Sequence, residues 1–266
     1  MARLREQDAA RRVASGHGRD FLESLARGLK VVAAFTRERS RMTLSEVAHA
    51  ADLPRPTARR VLHTLACLGF VEAEGPLFRL TPRILTLASA YLGSNTISKI
   101  AQPVCERISA LTGEVCFVAV MDGLDIAIIA HAGPLSPVVI GAGIGQRLPA
   151  FCTAAGRAML SQLPDDALGE WLQAVTPTAL TRYTITDKAA LREQTLSTRG
   201  QGYARTDQET LLGFRAIAFP LRRFDGVCVA ALNLAVRIVE SSIPGHEEQF
   251  IALLREEAAA LQNQLI

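Results

Sequence analysis

The most constraining feature of the sequence is a short succession of helix and turn signals in its first third. Thr43, followed three residues later by Glu46, forms a capping-box pattern that is typical of a helix N-terminus. The dipeptide Asp52–Leu53 predicts a tight turn after that helix, because aspartate tolerates a left-handed backbone. The next helix is expected to have Pro56 at its first position, where the missing N–H costs no hydrogen bond, and to stop at Gly69.

A hairpin and an earlier helix complete this unit. Phe70–Ala73 and Leu77–Leu80 have the pattern of short strands on either side of the turn residues 74–76. Upstream, the spacing of apolar residues predicts a first helix over Phe21–Phe35. Its apolar face is predicted to consist of Leu22, Leu25, Leu29, Val32 and Ala33. Three helices followed by a hairpin is the order of a winged helix-turn-helix, whose third helix enters the major groove of DNA.

The third helix carries cations in its first turns, where the positive end of the helix macrodipole disfavours them. A polyanion outside the chain would remove this conflict, since arginine binds both phosphates and guanine edges. Residues 1–83 carry 15 Lys and Arg against 9 Asp and Glu, whereas residues 84–266 carry 14 against 17. We therefore expect a double-stranded DNA operator as a partner. The residues predicted to contact it are Arg55, Thr57, Arg59, Arg60 and His63.

The composition excludes several other classes of protein. The chain is 49% hydrophobic and 21% charged, which is typical of a soluble globular protein. No apolar run approaches the ~20 residues that span a bilayer, and the basic N-terminus lacks the apolar stretch of a secretory signal. Five cysteines without a C-x-x-C pair indicate reduced thiols. The histidines show no metal-ligand spacing. The sequence thus predicts a cytoplasmic protein with no membrane partner, metal or cofactor.

The chain divides into four predicted segments. Residues 1–19 are expected to be a flexible basic arm, 20–81 the winged helix-turn-helix domain, 82–95 a linker helix and 96–266 a larger domain. In the larger domain, strand patterns around two Asp-Gly turns alternate with helical segments. One of these helices is predicted to stop at Gly200. Helices flanking an antiparallel sheet make the predicted fold class α+β.

Three features of the larger domain are candidates for chemistry. The glycines of "GAGIGQR" lack the spacing of a phosphate-binding loop, and a bend close to a small ligand fits them better. Cys152 begins a predicted helix, where a thiolate would be stabilised. It is either a nucleophile that needs a histidine base, or part of a helix cap and pocket lining together with Thr153. Asp207 and Glu209 are close together in a predicted loop. They are an acid–base pair, part of a solvated loop, or acceptors for a ligand hydroxyl.

At this point the chain resembles the IclR-type (isocitrate lyase regulator) family of bacterial transcription factors. The resemblance covers nearly the whole chain after the arm. In the first domain it depends on "TLSEVAHAADLPRPTARRVLHTLACLGFVE" and the hairpin that follows. In the second it depends on "GQRLPAFCTAAGRAML", "QGYARTDQET" and "RAIAFPLRRFDGVCVAALNLAV". "FLESLARGLKVVAAF" and "PTARRVLHTL" are similar to the branch that controls catabolism of aromatic acids (protocatechuate, 4-hydroxybenzoate and β-ketoadipate), the Pca and Pob regulators.

The resemblance implies a GAF-like second domain that binds a small organic-acid effector, and homodimers or tetramers that engage a roughly palindromic operator. It also implies that the chain is not an enzyme. The effector pocket implied by the matching motifs consists of Ala142, Gly143, Cys152, Thr153, Ala154, Gly156, Asp207, Glu209, Ala231 and Asn233. Two positions depart from the family pattern: Asp52, where glycine is usual, and Pro56, where a small hydroxyl residue is common.

Two alternatives to this ligand-responsive regulator stay open at the level of sequence. In one, the second domain is an enzyme that acts on a small acid with Cys152 at its site, and the first domain brings it to DNA. In the other, the GAF-like domain serves only for oligomerisation and binds no ligand.

Overall fold

The computed structural model describes residues 20–36, 38–134, 143–241 and 245–265. The predicted basic arm and the predicted effector residue Ala142 lie outside these ranges. The chain separates into two compact units, the first extending to Ala88 and the second beginning at Ser89.

The first unit contains three helices and a small antiparallel sheet. The helices are α1 (Glu23–Ala34), α2 (Leu44–Ala50) and α3 (Arg55–Cys67), and the strands are β1 (Met42–Thr43), β2 (Val71–Glu74) and β3 (Leu77–Leu80). The strands lie in the order β1-β3-β2. Their core is formed by Val31, Ala34, Met42, Val47, Ala51, Leu62 and Val71. This is the predicted winged helix-turn-helix, with β2 and β3 as the wing.

The local signals of this unit are confirmed, with one shift in position. Thr43 and Glu46 form a reciprocal capping box, and hydrogen bonding to Thr43 holds the pKa of the Glu46 carboxyl below its usual value. Asp52 has a left-handed backbone, with φ 51°. The helix α3 begins one residue earlier than expected, because Pro54 is its N-cap. Pro56 therefore occupies the second helical position, where its missing N–H still costs nothing.

The predicted apolar face of α1 is wrong. Leu22, Leu25 and Leu29 are 66%, 59% and 57% exposed, whereas Val31 and Ala34 are buried. The helix has apolar residues on two sides, and it packs against α2 and α3 through the side with the smaller residues. Periodicity identifies an apolar stripe but does not say which of two stripes faces a neighbour.

A helical segment joins the winged unit to the sheet of the second unit. A 3-10 turn (Pro82–Ile84) leads into α4 (Leu85–Ser94), and α5 (Thr96–Thr112) starts after Asn95, whose side chain caps it. Six antiparallel strands then form one sheet in the order β6-β5-β4-β9-β8-β7. The strands are β4 (Val115–Asp122), β5 (Asp125–Ala132), β6 (Arg147–Pro149), β7 (Ala204–Asp207), β8 (Phe214–Arg222) and β9 (Cys228–Arg237).

Helices cover both faces of this sheet. The remaining described helices are α6 (Ala154–Leu160), α7 (Asp165–Ala174), α8 (Lys188–Gln201), α9 (Ile238–Ser241) and α10 (His246–Gln262). One core lies between the sheet and α6, α7 and α8, and a second core lies between the sheet and α5 and α10. The α+β fold class with a winged helix-turn-helix, a linker helix and a GAF-like domain is confirmed. The predicted stop at Gly200 is wrong: α8 continues to Gln201 and ends at Gly202, which has φ 84°.

No helix in the described parts of the chain is both long enough and apolar enough to cross a bilayer.

Candidate functional site

The first candidate site is the outer face of α3. Ala58 and Leu62 are buried on its inner side, so the helix is fixed in the core. Arg55, Arg59, Arg60 and His63 are exposed, and Thr57 is half-buried. Because α3 has the 3.6-residue helical period, Arg55, Arg59, Arg60 and His63 share one surface, and they line a shallow groove beside Leu44 and Thr64. Thr57 does not line this groove.

The arginines of α3 differ from those of the neighbouring strands in their partners. In the wing and beside it, Arg79 pairs with Glu72 at 2.7 Å and Arg41 pairs with Glu74 at 3.4 Å. Within the described residues, Arg55, Arg59 and Arg60 form no ion pair, and the first turn of α3 carries no acidic residue. The positive charge of these side chains adds to that of the helix N-terminus, so the surface attracts polyanions.

The second candidate site is a cavity of about 210 Å³ in the second unit, on the side of the sheet that faces α6. Its floor comes from alternate residues of β4, β8 and β9, since side chains two apart on a strand share a face. The wall comes from the end of β7 and the segment after it, from β6 and the turn before it, and from the start of α6. The lining residues are Val115, Phe117, Gln146, Leu148, Thr153, Ala154, Thr206, Glu209, Thr210, Leu211, Phe214, Arg215, Ala216, Asn233 and Ala235.

Asn233 is the most deeply buried polar residue of this cavity, with 1% of its surface exposed. It lies on β9 between Phe117 of β4 and Ala218 of β8, so its backbone is held by ladders on both sides. Its side-chain Nδ2 has no hydrogen-bond partner among the described residues. A buried donor without a partner costs about 1–3 kcal/mol, so this atom requires an explanation.

Gln146 presents a complementary group. Its backbone N–H donates to the carbonyl of Gly143 at 3.0 Å, and its carbonyl accepts from the N–H of Ile128 at 2.9 Å. The turn therefore holds Gln146 against β5. Its side-chain Oε1 is buried and has no partner within the described part of the chain.

The charge of Glu209 at the cavity wall is neutralised by a buried ion pair. The two terminal nitrogens of Arg157 lie 2.6 and 2.5 Å from the two carboxylate oxygens of Glu209. The Nε of Arg157 donates to the carbonyl of Phe151 at 3.0 Å. Since Glu209 also accepts from the backbone N–H of Ile185, the pair ties three chain segments together. Among the described lining residues, the cation is Arg215, which alternates with Phe214 and Ala216 on β8 and therefore extends from the opposite face of the sheet. It is partly exposed and pairs with Asp207 at 3.1 Å.

Four of the predicted effector residues line the cavity: Thr153, Ala154, Glu209 and Asn233. Thr153 is the N-cap of α6 and accepts from the N–H of Gly156 at 3.1 Å.

Five other predicted residues lie elsewhere, each for a local reason. Gly156 is a close-packing position, because a Cβ there would lie 2.1 Å from the carbonyl oxygen of Ala150. Ala231 lies two residues before Asn233 on β9, deep in the core. Gly143 belongs to the turn that holds Gln146. Asp207 is the last residue of β7 and lines an adjacent cavity of about 350 Å³ with Arg205 and Glu247, which shares Glu209 and Arg215 with the first. The predicted pair of Asp207 and Glu209 is thus divided between an exposed and a buried ion pair.

Cys152 is the fifth of these residues, and its surroundings differ from those of a reactive cysteine. It ends a 3-10 turn (Ala150–Cys152) and precedes the cap of α6, so it does not begin that helix. It is fully buried, its backbone carbonyl accepts from the hydroxyl of Thr210 at 2.8 Å, and burial raises the pKa of its thiol to about 11. The thiol is therefore neutral at physiological pH, whereas the nucleophile in cysteine chemistry is the thiolate.

Sequence reasoning missed several cavity residues. Because Asn233 lies on a strand, Ala235 two residues later shares its face, so Ala235 could have been predicted from alternation alone. Phe117 becomes a neighbour only through the pairing of β4 with β9. Gln146 and Arg215 had no signal in the sequence, since both reach the cavity through turns and strand register. No group of three or more potential metal ligands occurs within the residues that the structure describes.

Two family models match the chain along most of its length. The model for the IclR helix-turn-helix domain matches residues 24–75, and the model for the bacterial transcriptional regulator IclR C-terminal domain matches residues 89–263. The chain belongs to the IclR family of transcriptional regulators. The winged unit is thus the DNA-binding domain of an IclR-type regulator, and the unit with the cavity is the C-terminal domain of that family.

Individual IclR-family proteins are similar to this chain over almost its full length. The Pca regulon regulatory protein of Pseudomonas putida is 35% identical, covering 92% of this chain and 85% of its own. The p-hydroxybenzoate hydroxylase transcriptional activator of Acinetobacter baylyi is 32% identical, covering 92% of each. A crystal structure of an IclR homologue from Microbacterium hydrocarbonoxydans in complex with 4-hydroxybenzoate has a TM-score of 0.76 at 25% identity, covering 91% of this chain and 99% of that one.

Proposed function

We propose that this IclR-type regulator binds a small aromatic carboxylic acid in the cavity of its second domain, and that binding changes its affinity for an operator. The observation that carries the proposal is the cavity of about 210 Å³, which has mostly apolar walls and contains the buried Nδ2 of Asn233, an atom with no hydrogen-bond partner among the described residues. An apolar cavity of about 150 Å³ accommodates benzene. The volume therefore suits a single ring with one or two substituents.

The charges around the cavity favour an anionic ligand. The carboxylate of Glu209 is neutralised by Arg157, and both are almost fully buried. Among the described lining residues, Arg215 is the other charged one, and Asp207, with which it pairs, is exposed. A ligand carboxylate would compete with Asp207 for the guanidinium of Arg215. The names of the Pca and p-hydroxybenzoate regulators, and the 4-hydroxybenzoate bound to a structural neighbour, agree with this class of ligand.

Thermal unfolding of the full-length protein with a panel of acids tests this proposal. The panel contains benzoate, 3- and 4-hydroxybenzoate, protocatechuate, β-ketoadipate and citrate. At about 100 times its dissociation constant, a ligand that binds only the folded state adds about 2.7 kcal/mol of stability. We expect stabilisation by at least one aromatic acid, and Arg215→Gln should weaken it. Stabilisation by none of the aromatic acids would remove the effector assignment.

In the DNA-binding domain, we assign the contacts to the exposed face of α3. Arg55, Arg59 and Arg60 would contact phosphates and guanine edges, with Thr57 and His63 adding hydrogen bonds. Two observations support these contacts. The three arginines form no ion pair within the described chain, and the corresponding helix of helix-turn-helix proteins lies in the major groove.

The test of the DNA assignment is a gel shift with operator DNA selected from a random pool by the wild-type protein. Arg60→Ala should lower the affinity about 10-fold or more, since one bidentate base contact is worth about 1–3 kcal/mol. The matched control is Arg192→Ala, which removes an exposed arginine of the second unit. Equal affinities of the Arg60→Ala variant and the wild type would contradict the placement of α3 in the groove.

The coupling between the two domains would be a shift of populations. An effector that binds one conformation of residues 96–266 more tightly increases the fraction of that conformation. Through the linker helix of residues 82–95, this would change the spacing of two DNA-binding domains (residues 20–81) in a homodimer or tetramer. By linkage, operator DNA would change the affinity for the effector by the same factor. The arm of residues 1–19 would add basic charge near the DNA, and the protein would act in the cytoplasm.

An enzymatic role for the second domain has little chemical support. The candidate nucleophile Cys152 is buried, and its raised pKa of about 11 keeps it protonated. The protein is therefore assigned as a regulator that binds its ligand without converting it. Turnover of a bound acid that disappears in Cys152→Ala would contradict this assignment.

A further inference from the structure

Two amide atoms in the cavity have no hydrogen-bond partner in the described parts of the chain, and they define what its polar part recognises. Asn233 contributes a donor, Nδ2, and Gln146 contributes an acceptor, Oε1, and both residues line the same cavity. The backbones of both residues are fixed, one in the central strand β9 and the other in the turn against β5. The fixed backbones anchor both side chains at the cavity, and each of the two amide atoms is buried there.

A donor and an acceptor that line one cavity can be satisfied together by few functional groups. A carboxylate oxygen only accepts, and a ketone oxygen only accepts, so both would leave Oε1 of Gln146 without a donor. A neutral hydroxyl does both: its oxygen accepts from Asn233 while its hydrogen is donated to Gln146. The other polar lining groups, the threonine hydroxyls, adapt to either role and do not discriminate.

We infer that Asn233 and Gln146 form a hydroxyl-reading pair that makes the regulator selective for ring-hydroxylated aromatic acids over acids without a hydroxyl. The inference depends on the proposed effector class and adds to it the residues that set specificity. The ring would lie against the apolar walls, its hydroxyl between the two amides, and its carboxylate towards Arg215. Buried polar groups left unpaired by the wrong ligand are a strong source of discrimination, stronger than a difference of one methylene in an apolar pocket.

Matched ligand pairs measure this selectivity directly. Isothermal titration calorimetry of the full-length protein would compare the affinities of 3- and 4-hydroxybenzoate with those of 3- and 4-fluorobenzoate. The fluorobenzoates have nearly the same size but cannot donate a hydrogen bond. Benzoate is the unsubstituted reference. We expect at least one hydroxy isomer to bind 10- to 100-fold more tightly than its fluoro counterpart. Equal affinities within each pair would overturn the inference.

The variants Asn233→Leu and Gln146→Leu then locate the effect. Each should reduce the hydroxy-to-fluoro ratio to about threefold or less while benzoate affinity stays within about threefold of the wild type. Gln146→Met is a second, more flexible replacement in case Gln146→Leu does not fold. The matched control is Gln173→Leu, which removes an exposed amide outside the cavity and should leave the ratio unchanged.

The remaining outcomes separate this inference from the proposed function. If the variants lose hydroxylated and fluorinated acids to the same extent, the residues shape the cavity without reading a hydroxyl, and the inference fails while the effector class holds. If the wild type binds none of the aromatic acids, the proposed effector class fails and the inference fails with it. A hydroxy preference that persists in both variants would place the hydroxyl at another group.

Discussion

The buried ion pair between Arg157 and Glu209 leads to a quantitative prediction. The side chains are 2% and 6% exposed, and Arg157 directs both terminal nitrogens to Glu209. Replacing Glu209 with Gln removes the negative charge and places an NH₂ group against the guanidinium, because arginine keeps its proton in proteins. Breaking a buried pair by removing one partner costs about 3–5 kcal/mol. For a domain of this size, that corresponds to a fall in Tm of roughly 6–20 °C.

The assay is urea unfolding followed by the fluorescence of Trp171, the single tryptophan of the chain. Trp171 lies on α7, and its indole N–H donates to the carbonyl of Gly123 at 3.2 Å, so the signal reports on the unit that contains the pair. The control is the double variant Arg157→Met/Glu209→Leu, which replaces both charges by apolar groups. It should recover most of the loss, because the cost arises from the unpaired charge. Glu209→Gln within 1 kcal/mol of the wild type would refute the reasoning.

Three further predictions concern single positions. Gly156→Ala should destabilise the second unit by several kcal/mol in the same urea assay, since the new Cβ would clash with the backbone of the 3-10 turn before α6. Gly169→Ala in α7 has open space around the new Cβ and should stabilise the unit by up to about 1 kcal/mol. Asp52→Gly should raise the stability of the winged unit by up to about 1 kcal/mol in a calorimetric scan, because glycine adopts the left-handed backbone without a steric cost. At pH 8, a maleimide should label the exposed Cys67 and leave Cys152 unmodified in mass-spectrometric peptide maps, because burial and a raised pKa keep the Cys152 thiol protonated. Rapid labelling of Cys152 in the folded protein would contradict its burial.

The parts of the fold that were predictable from the sequence depend on neighbouring residues. The capping box of Thr43 and Glu46 is set by two side chains and one helical turn, and the left-handed backbone of Asp52 by the turn itself. The apolar face of α1 was predicted wrongly because the choice between two stripes is made by α2 and α3. Similarly, the stop of α8 depended on which of two glycines takes the left-handed conformation, and Gly202 does.

The cavity was only partly predictable for the same physical reason. Thr153, Ala154, Glu209 and Asn233 come from motifs in which the residue type itself is informative. Gln146 and Arg215 are ordinary polar residues until strand pairing places them at the cavity. Asp207 and Glu209 are two residues apart, yet the left-handed backbone of Gln208 between them sends one to the surface and the other into the core.

The floor and the wall of the cavity differ in how they are built, and this matters for engineering. The floor belongs to the paired central strands, with Asn233 held between β4 and β8. The wall residues Thr210 and Leu211 come from a connecting segment without strand partners, and Leu211 is 44% exposed. Libraries that vary the wall would therefore change the shape of the accepted ring without disturbing the sheet, while the floor keeps its amide. A biosensor for related acids would best be obtained by varying the wall first.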